Sequence, residues 1–140
     1  MKKHYYYPAV LTREKVGGYS IRFPDFDGCF TQGETIEEVY NMAVEAIGLW
    51  LEDNIANDNM PDACDPGSVK LEEGESFVAL IDFQPEEYLR RISEKSVKKT
   101  LTIPSWLNEL AYRRGLNFSQ ILQEGLKIHL GLMDAAEVTE

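Results

Sequence analysis

The sequence predicts an α+β fold in two modules. A small antiparallel sheet with a packed helix comes first, and a shorter module of one strand and two helices follows. Three observations lead there. Apolar residues alternate along Tyr5–Leu11 and Tyr19–Phe23, the period of a half-buried strand. An apolar face recurs at helical spacing from Ile36 to Leu51. The charge changes sign along the chain: residues 1–88 hold 6 basic and 18 acidic side chains, net −12, and residues 89–140 hold 8 basic and 6 acidic, net +2.

Composition bounds the answer. A chain of 140 residues suits one ordinary domain, or a small domain plus a module. With 44% hydrophobic and 27% charged residues it is globular in character and not disordered. No apolar run approaches the roughly 18 residues of a membrane span, and the Lys- and Tyr-rich start of the chain has no signal-peptide core. The expectation is a cytoplasmic protein without a membrane partner. Cys29 and Cys64 are too few for a disulfide framework or a four-ligand zinc site.

The acidic module, residues 1–88, reads as strand, strand, strand, helix, strand. Pro8 removes a ladder donor from the first strand, which predicts an edge or a bulge there. Lys15–Gly18 turns the chain, since glycine accepts positive φ. Tyr19–Phe23 is the second strand, Pro24–Gly28 a turn, and Cys29–Gln32 a short third strand ended by Gly33. Thr35-Ile36-Glu37-Glu38 fits a capping box, with the Thr35 hydroxyl on the Glu38 N–H and the Glu38 carboxylate reaching back. Ile36, Val39, Tyr40, Ala43, Ile47, Trp50 and Leu51 make the apolar face, which stops near Asn54. Residues 57–76 read as a long loop with a short strand at Val69–Leu71. Phe77–Ile81 is a continuous apolar run, short enough for a strand covered on both faces. Pro85 opens a linking helix, acids first and Arg90 and Arg91 later, that ends near Lys95-Ser96. The linker is assigned to residues 89–96.

Asp25, Asp27, Glu34, Glu37 and Glu38 are close in sequence and could ligate a metal. Glu37 and Glu38, however, point to different sides of a helix, and no histidine spacing accompanies them. Turn and helix-start roles account for these acids. His4 and His129 have no identifiable Ser or Cys partner, and Cys29 reads as a small buried hydrophobe. No catalytic residue, metal or cofactor is assigned.

The basic module, residues 97–140, begins with a strand over Val97–Ile103. Period two puts Val97, Lys99, Leu101 and Ile103 on one face and Lys98, Thr100 and Thr102 on the other. Pro104 ends it and suits the first turn of a helix, capped by Ile103 or Ser105. Trp106, Leu107, Leu110 and Ala111 form an apolar stripe, and Arg113-Arg114-Gly115 closes the helix with Gly115 as its left-handed cap. Asn117 caps the next helix, whose face runs through Phe118, Ile121, Leu122, Gly125, Leu126 and His129. Gly125 costs about 1 kcal/mol against Ala, which a close helix–helix approach would explain. One strand and two helices cannot close a core in so short a segment. A two-fold dimer can: two copies of Lys98–Ile103 pair antiparallel and four helices pack beneath. The ribbon's outer face then presents Lys98, Thr100 and Thr102 from both chains to a DNA major groove. A helical hairpin used only for dimerisation stays open as the alternative.

The run Lys-Lys-Thr-Leu-Thr-Ile-Pro followed by Arg-Gly-Leu-Asn-Phe-Ser-Gln resembles the ribbon-helix-helix repressors. By that resemblance Lys98, Thr100 and Thr102 take the base-reading positions, and Asn117, Phe118 and Ser119 grip a phosphate at a helix start. The run from Pro24 to Glu38, with Pro-Asp, Gly-Cys and Gly-Glu-Thr before paired acids, resembles the signature of the HicB antitoxins. Asp27 stands where many members have proline. The resemblance implies a degenerate RNase H-like first module that neutralises HicA, a small basic toxin that cleaves mRNA, and a second module that binds operator DNA as a homodimer and represses the shared operon. Asp25, Asp27, Glu34, Glu37 and Glu38 are then candidates for toxin contact. Higher assembly is open, since the first modules could also pair. A nuclease with a dimerisation tail and a stand-alone regulator are the competing readings.

Overall fold

A computed structural model describes residues 2–93 and 96–138. The chain divides into two compact units, Lys3–Ile92 and Ser93–Glu140, the latter together with Met1–Lys2. The first unit is a four-stranded antiparallel sheet in the order β3-β2-β1-β4, built from β1 (Tyr5–Arg13), β2 (Tyr19–Arg22), β3 (Phe30–Gly33) and β4 (Phe77–Phe83). Helix α1 (Ile36–Trp50), with its short continuation α2 (Glu52–Ala56), packs on one face of that sheet, and α3 (Pro85–Ile92) follows β4.

The core lies between sheet and helix. The registers Tyr7↔Ile81 and Leu11↔Ile21 align Tyr7, Ala9, Leu11, Ile21, Ile81 and Phe83 on one face, all buried. The helical side contributes Val39, Ala43, Ile47, Leu51 and Ile55. Their spacing of four keeps them on one stripe. Ile36 and Trp50, expected in that stripe, are half exposed, and the stripe runs past Asn54 to Ile55 through the new turn at Leu51. At the far end the Tyr88 ring packs against Phe83 and lies directly over Gly48, where an added Cβ would sit 2.1 Å from the ring. Gly33 also meets the first turn of α1 closely: an added Cβ there would lie 2.6 Å from Val39 N.

Local chemistry sets the element ends. Gly17 and Gly18 both adopt positive φ, 101° and 82°, in the β1–β2 turn. Thr35 caps α1 by accepting from Glu38 N at 3.1 Å. The expected return bond from the Glu38 carboxylate is not among the bonds of the described residues.

Several expectations are corrected. β1 is a central strand, not an edge. Glu14 N donates to Gly18 O, so the even-numbered residues of β1 aim their backbone groups at β2 and the odd-numbered ones at β4. Pro8 is even-numbered, and β2 reaches only as far as Val10. The N–H that Pro8 lacks would therefore have met no strand. Val69–Leu71 forms no strand; the chain there passes from a 3-10 turn (Pro66–Ser68) to a Glu72–Glu75 turn, and Glu72 N donates to the Glu75 carboxylate instead of a ladder. β4 is not covered on both faces: Leu80 is 47% exposed, as suits an edge strand. α3 ends at Ile92, which is 57% exposed, whereas Pro85 and Tyr88 are buried. The expected end near Lys95-Ser96 falls partly on Glu94 and Lys95, which lie outside the described residues.

The second unit contains α4 (Ser105–Arg113), α5 (Phe118–His129) and a final 3-10 turn (Ala135–Glu137). Pro104 occupies the cap position of α4, not its first turn, and no side chain caps that helix. Gly115, at φ 66°, closes α4 with paired bonds from Gly115 N to Tyr112 O and from Leu116 N to Ala111 O. Asn117 caps α5, accepting from Gln120 N at 3.0 Å. Residues 96–104 carry no ladder among the described residues, so the strand expected at Val97–Ile103 is not formed. Among the described residues outside its own helix backbone, nothing lies within 4 Å of where a Cβ on Gly125 would sit, so no close helix approach accounts for it.

Candidate DNA and partner interfaces

The second unit buries no apolar side chain among the described residues. Leu101, Ile103, Leu107, Phe118 and Ile121 are each more than 40% exposed. A soluble monomer does not leave that much contiguous apolar surface in water without a use for it. These residues converge: Lys99, Leu101 and Ile103 from the segment before α4, Leu107 and Ala111 from α4, and Phe118, Ile121 and Leu122 from α5 line one groove of about 540 Å³.

The odd-numbered residues of Lys98–Ile103 line that groove and the even-numbered ones do not. Lys98, Thr100 and Thr102 are exposed. The stripe expected on α4 divides in two. Leu107 and Ala111 face the groove, while Trp106 and Leu110 share a second surface with Glu109 and Arg113, which are ion-paired at 2.7 Å. Steps of three and four residues do not separate two adjacent faces of so short a helix, so the four apolar residues look like one stripe in the sequence.

At the start of α5 the expected phosphate contacts have separate fates. The Asn117 side-chain oxygen is committed to the cap. Phe118 and Ser119 both line the groove. Their backbone N–H groups precede the first helical bond of α5, from Ile121 N to Asn117 O, and make no backbone hydrogen bond among the described residues.

The acidic candidates of the first unit also separate. The Asp25 carboxylate accepts from Cys64 N with both oxygens, at 3.0 and 3.2 Å, and ties the loop after β2 to the long loop. Burial, reinforced by that carboxylate, pushes the Cys64 thiol up. Asp27, Glu34, Glu37 and Glu38 are exposed, the last three at the start of α1. No group of three or more His, Cys, Asp or Glu among the described residues is placed to hold a metal. Cys29 is buried, and burial raises its thiol above the ordinary range, which opposes a nucleophilic role. His4 is engaged with Asp82 at 2.8 Å. No helix of the described chain is long and apolar enough to cross a membrane.

Comparison with known proteins adds the family. A family model described as the HicB_like antitoxin of bacterial toxin-antitoxin systems matches residues 7–123. Antitoxin HicB 1 of Photorhabdus laumondii is 39% identical over 56 residues, which is 37% of this chain and 36% of that one. A 14.9 kDa protein from the rep-hol intergenic region of Haemophilus phage HP1 is 30% identical over 105 residues, 72% of this chain and 74% of that one. Among solved structures, a chain of a toxin-antitoxin complex from Streptococcus pneumoniae superposes with a TM-score of 0.55 at 30% identity, covering 88% of this chain and 97% of that chain.

Proposed function

This chain belongs to the HicB-like antitoxins of bacterial toxin–antitoxin systems, and on that premise we propose that it neutralises a HicA-type mRNA-cleaving toxin and represses its own operon. Its family consists of antitoxins and not of enzymes. The acidic unit, read as a degenerate RNase H-like layer, takes the toxin. The second unit, read as a ribbon-helix-helix, dimerises and takes operator DNA.

One observation carries the DNA half: the alternation along Lys98–Ile103. Lys99, Leu101 and Ile103 line the apolar groove, and Lys98, Thr100 and Thr102 do not. Antiparallel pairing with a second copy supplies the missing ladder and covers the groove. It leaves a face of one lysine and two threonines per chain, chemistry suited to the donors and acceptors of the major groove. The free N–H groups of Phe118 and Ser119 then suit a backbone phosphate.

Charge supports the toxin half. A protein that cleaves RNA is expected to be basic, and residues 1–88 carry net −12. Of the five candidate carboxylates, Asp27, Glu34, Glu37 and Glu38 are exposed. Asp25 is the weaker candidate, because its carboxylate is already held by Cys64 N.

The test is binding to the protein's own upstream DNA across a salt series, with a Lys98/Thr100/Thr102 triple-alanine variant alongside. Specific, salt-sensitive binding lost in the variant is the expected result. Equal binding by both proteins would overturn the ribbon.

A further inference from the structure

Tyr88 keeps its ring inside the fold while its hydroxyl bonds to nothing. The residue is 3% exposed. Its ring packs on Phe83, and the Cζ that carries the hydroxyl would lie 2.2 Å from a Cβ on Gly48, so the hydroxyl emerges beside that glycine. No hydrogen bond engages it among the described residues, yet its oxygen is not sealed from solvent. Phenylalanine would pack in the same way. A buried tyrosine ordinarily brings its O–H to an acceptor, and here the fold supplies none.

Two carboxylates flank that point. Glu45 precedes Gly48 by three residues and Glu52 follows it by four. The helical path continues through Leu51, whose N–H bonds to Ile47 O and whose carbonyl accepts from Ile55 N, so the three residues share a row. Both glutamates are exposed, and neither has an ion pair or hydrogen bond among the described residues. Their charge reaches the phenol: burial first, then Glu52 and Glu45, push the Tyr88 pKa up. Leu49, between the glutamates on α1, is 66% exposed, and Ile92, one turn beyond Tyr88 on α3, is also more than half exposed.

We propose that Glu45, Glu52 and the Tyr88 hydroxyl form a seat for one arginine side chain of the basic toxin partner. The partner rests on the proposed function; the seat rests on the geometry. Seven residues of helix set the two glutamates about 10 Å apart along the axis. A compact ammonium does not reach both. A planar guanidinium carries five N–H donors on several edges, so it can give to a carboxylate on each side while the Tyr88 oxygen accepts between them. The Tyr88 O–H can in turn donate to either glutamate. Guanidinium is weakly hydrated and the arginine stem is aliphatic, which suits the exposed Leu49 and Ile92 at the rim. Exposed carboxylates alone hold a cation weakly. The buried phenol, fixed against Gly48, gives the site its shape.

Two probes test this in the full chain. The first is N-acetyl-arginine amide, followed through the Cζ resonances of tyrosine labelled with carbon-13, with Tyr88→Phe assigning the Tyr88 signal. That signal should move with the arginine amide, move less with N-acetyl-lysine amide, and stay still in a Glu45→Gln/Glu52→Gln double variant. A Tyr88 signal indifferent to the arginine amide overturns the seat. The second probe is the HicA-type toxin of the same operon, titrated by calorimetry. Tyr88→Phe keeps the ring on Gly48, so its melting should match the wild type while toxin affinity falls about tenfold. In the Glu45→Gln/Glu52→Gln background the same change should cost nothing more. Unchanged affinity in a folded Tyr88→Phe variant overturns the assignment to the toxin, and a signal that still moves with the amide would then give the seat to a free organic cation. A wild type that binds no toxin refutes the proposed function and the partner together, and the amide titration still decides the seat.

Discussion

Arg22 holds Glu75 at two points, Nε to Oε2 at 2.6 Å and Nη2 to Oε1 at 2.9 Å. The pair joins β2 to the end of the long loop. Glu75 also accepts from Glu72 N at 2.7 Å, so the same carboxylate shapes the turn that delivers the chain into β4. The Arg22 guanidinium draws the Glu75 carboxyl down from 4.5 to about 2.

The pH dependence follows from that direction. A carboxyl whose folded pKa is depressed stabilises the fold above its unfolded pKa, and that contribution fades as pH falls toward the folded value. Glu75→Gln should cost about 1–2 kcal/mol at pH 7, a figure reduced because the Arg22 side chain is over a third exposed. Thermal melts of wild type and variant should converge between about pH 4.5 and pH 2. A gap in stability that stays constant across that window would show that the ion pair is not its source.

Gly48→Ala tests the contact between α1 and α3. Its Cβ would lie 2.1 Å from the Tyr88 ring, so the ring or the helix must move. Overpacking of this kind costs about 1–3 kcal/mol. In a Tyr88→Ala background the same change should be neutral or stabilising, since alanine exceeds glycine in helix propensity by about 1 kcal/mol. Denaturant midpoints of the four proteins measure the coupling, and strictly additive effects would contradict the contact.

How much could be read in advance depended on how local the cause was. Thr35, Gly115 and Asn117 were legible because a cap is decided within four residues. Pro8 was misread because its tolerance depends on where β2 stops, which no local pattern records. Arg22 and Glu75 are 53 residues apart in sequence and gave no signal at all. Leu80 looked buried because an apolar run has the same appearance in a central strand as in an edge strand. The alternation at Lys98–Ile103 was visible, but the segment forms no ladder among the described residues, and the ladder proposed for it needs a second chain.

If the second unit pairs as proposed, Leu101→Asp should abolish its dimerisation. Leu101 lines the apolar groove, and pairing of two ribbons would bury the new carboxylate without a partner. Sedimentation at micromolar concentration should report loss of that interface. The melting of the first unit should be unchanged, because its core draws on residues from Tyr7 to Tyr88. An unaltered assembly would contradict the register of the ribbon.

Single substitutions on the outer face of the proposed ribbon should separate two kinds of DNA contact. Lys98 is exposed and outside the groove, so Lys98→Ala removes a charge without removing packing. If Lys98 meets a phosphate, affinity falls for every sequence alike, and the slope of log affinity against log salt drops by about one unit. Thr100→Ala and Thr102→Ala carry no charge change and should leave that slope alone. Each should instead cost about 1–3 kcal/mol on the operator and little on unrelated DNA, because a lost base contact is felt only where the base is right. Operator and random duplexes titrated at several salt concentrations give both quantities from one experiment. A threonine variant that weakens both duplexes equally would place that side chain on the DNA backbone and not on a base.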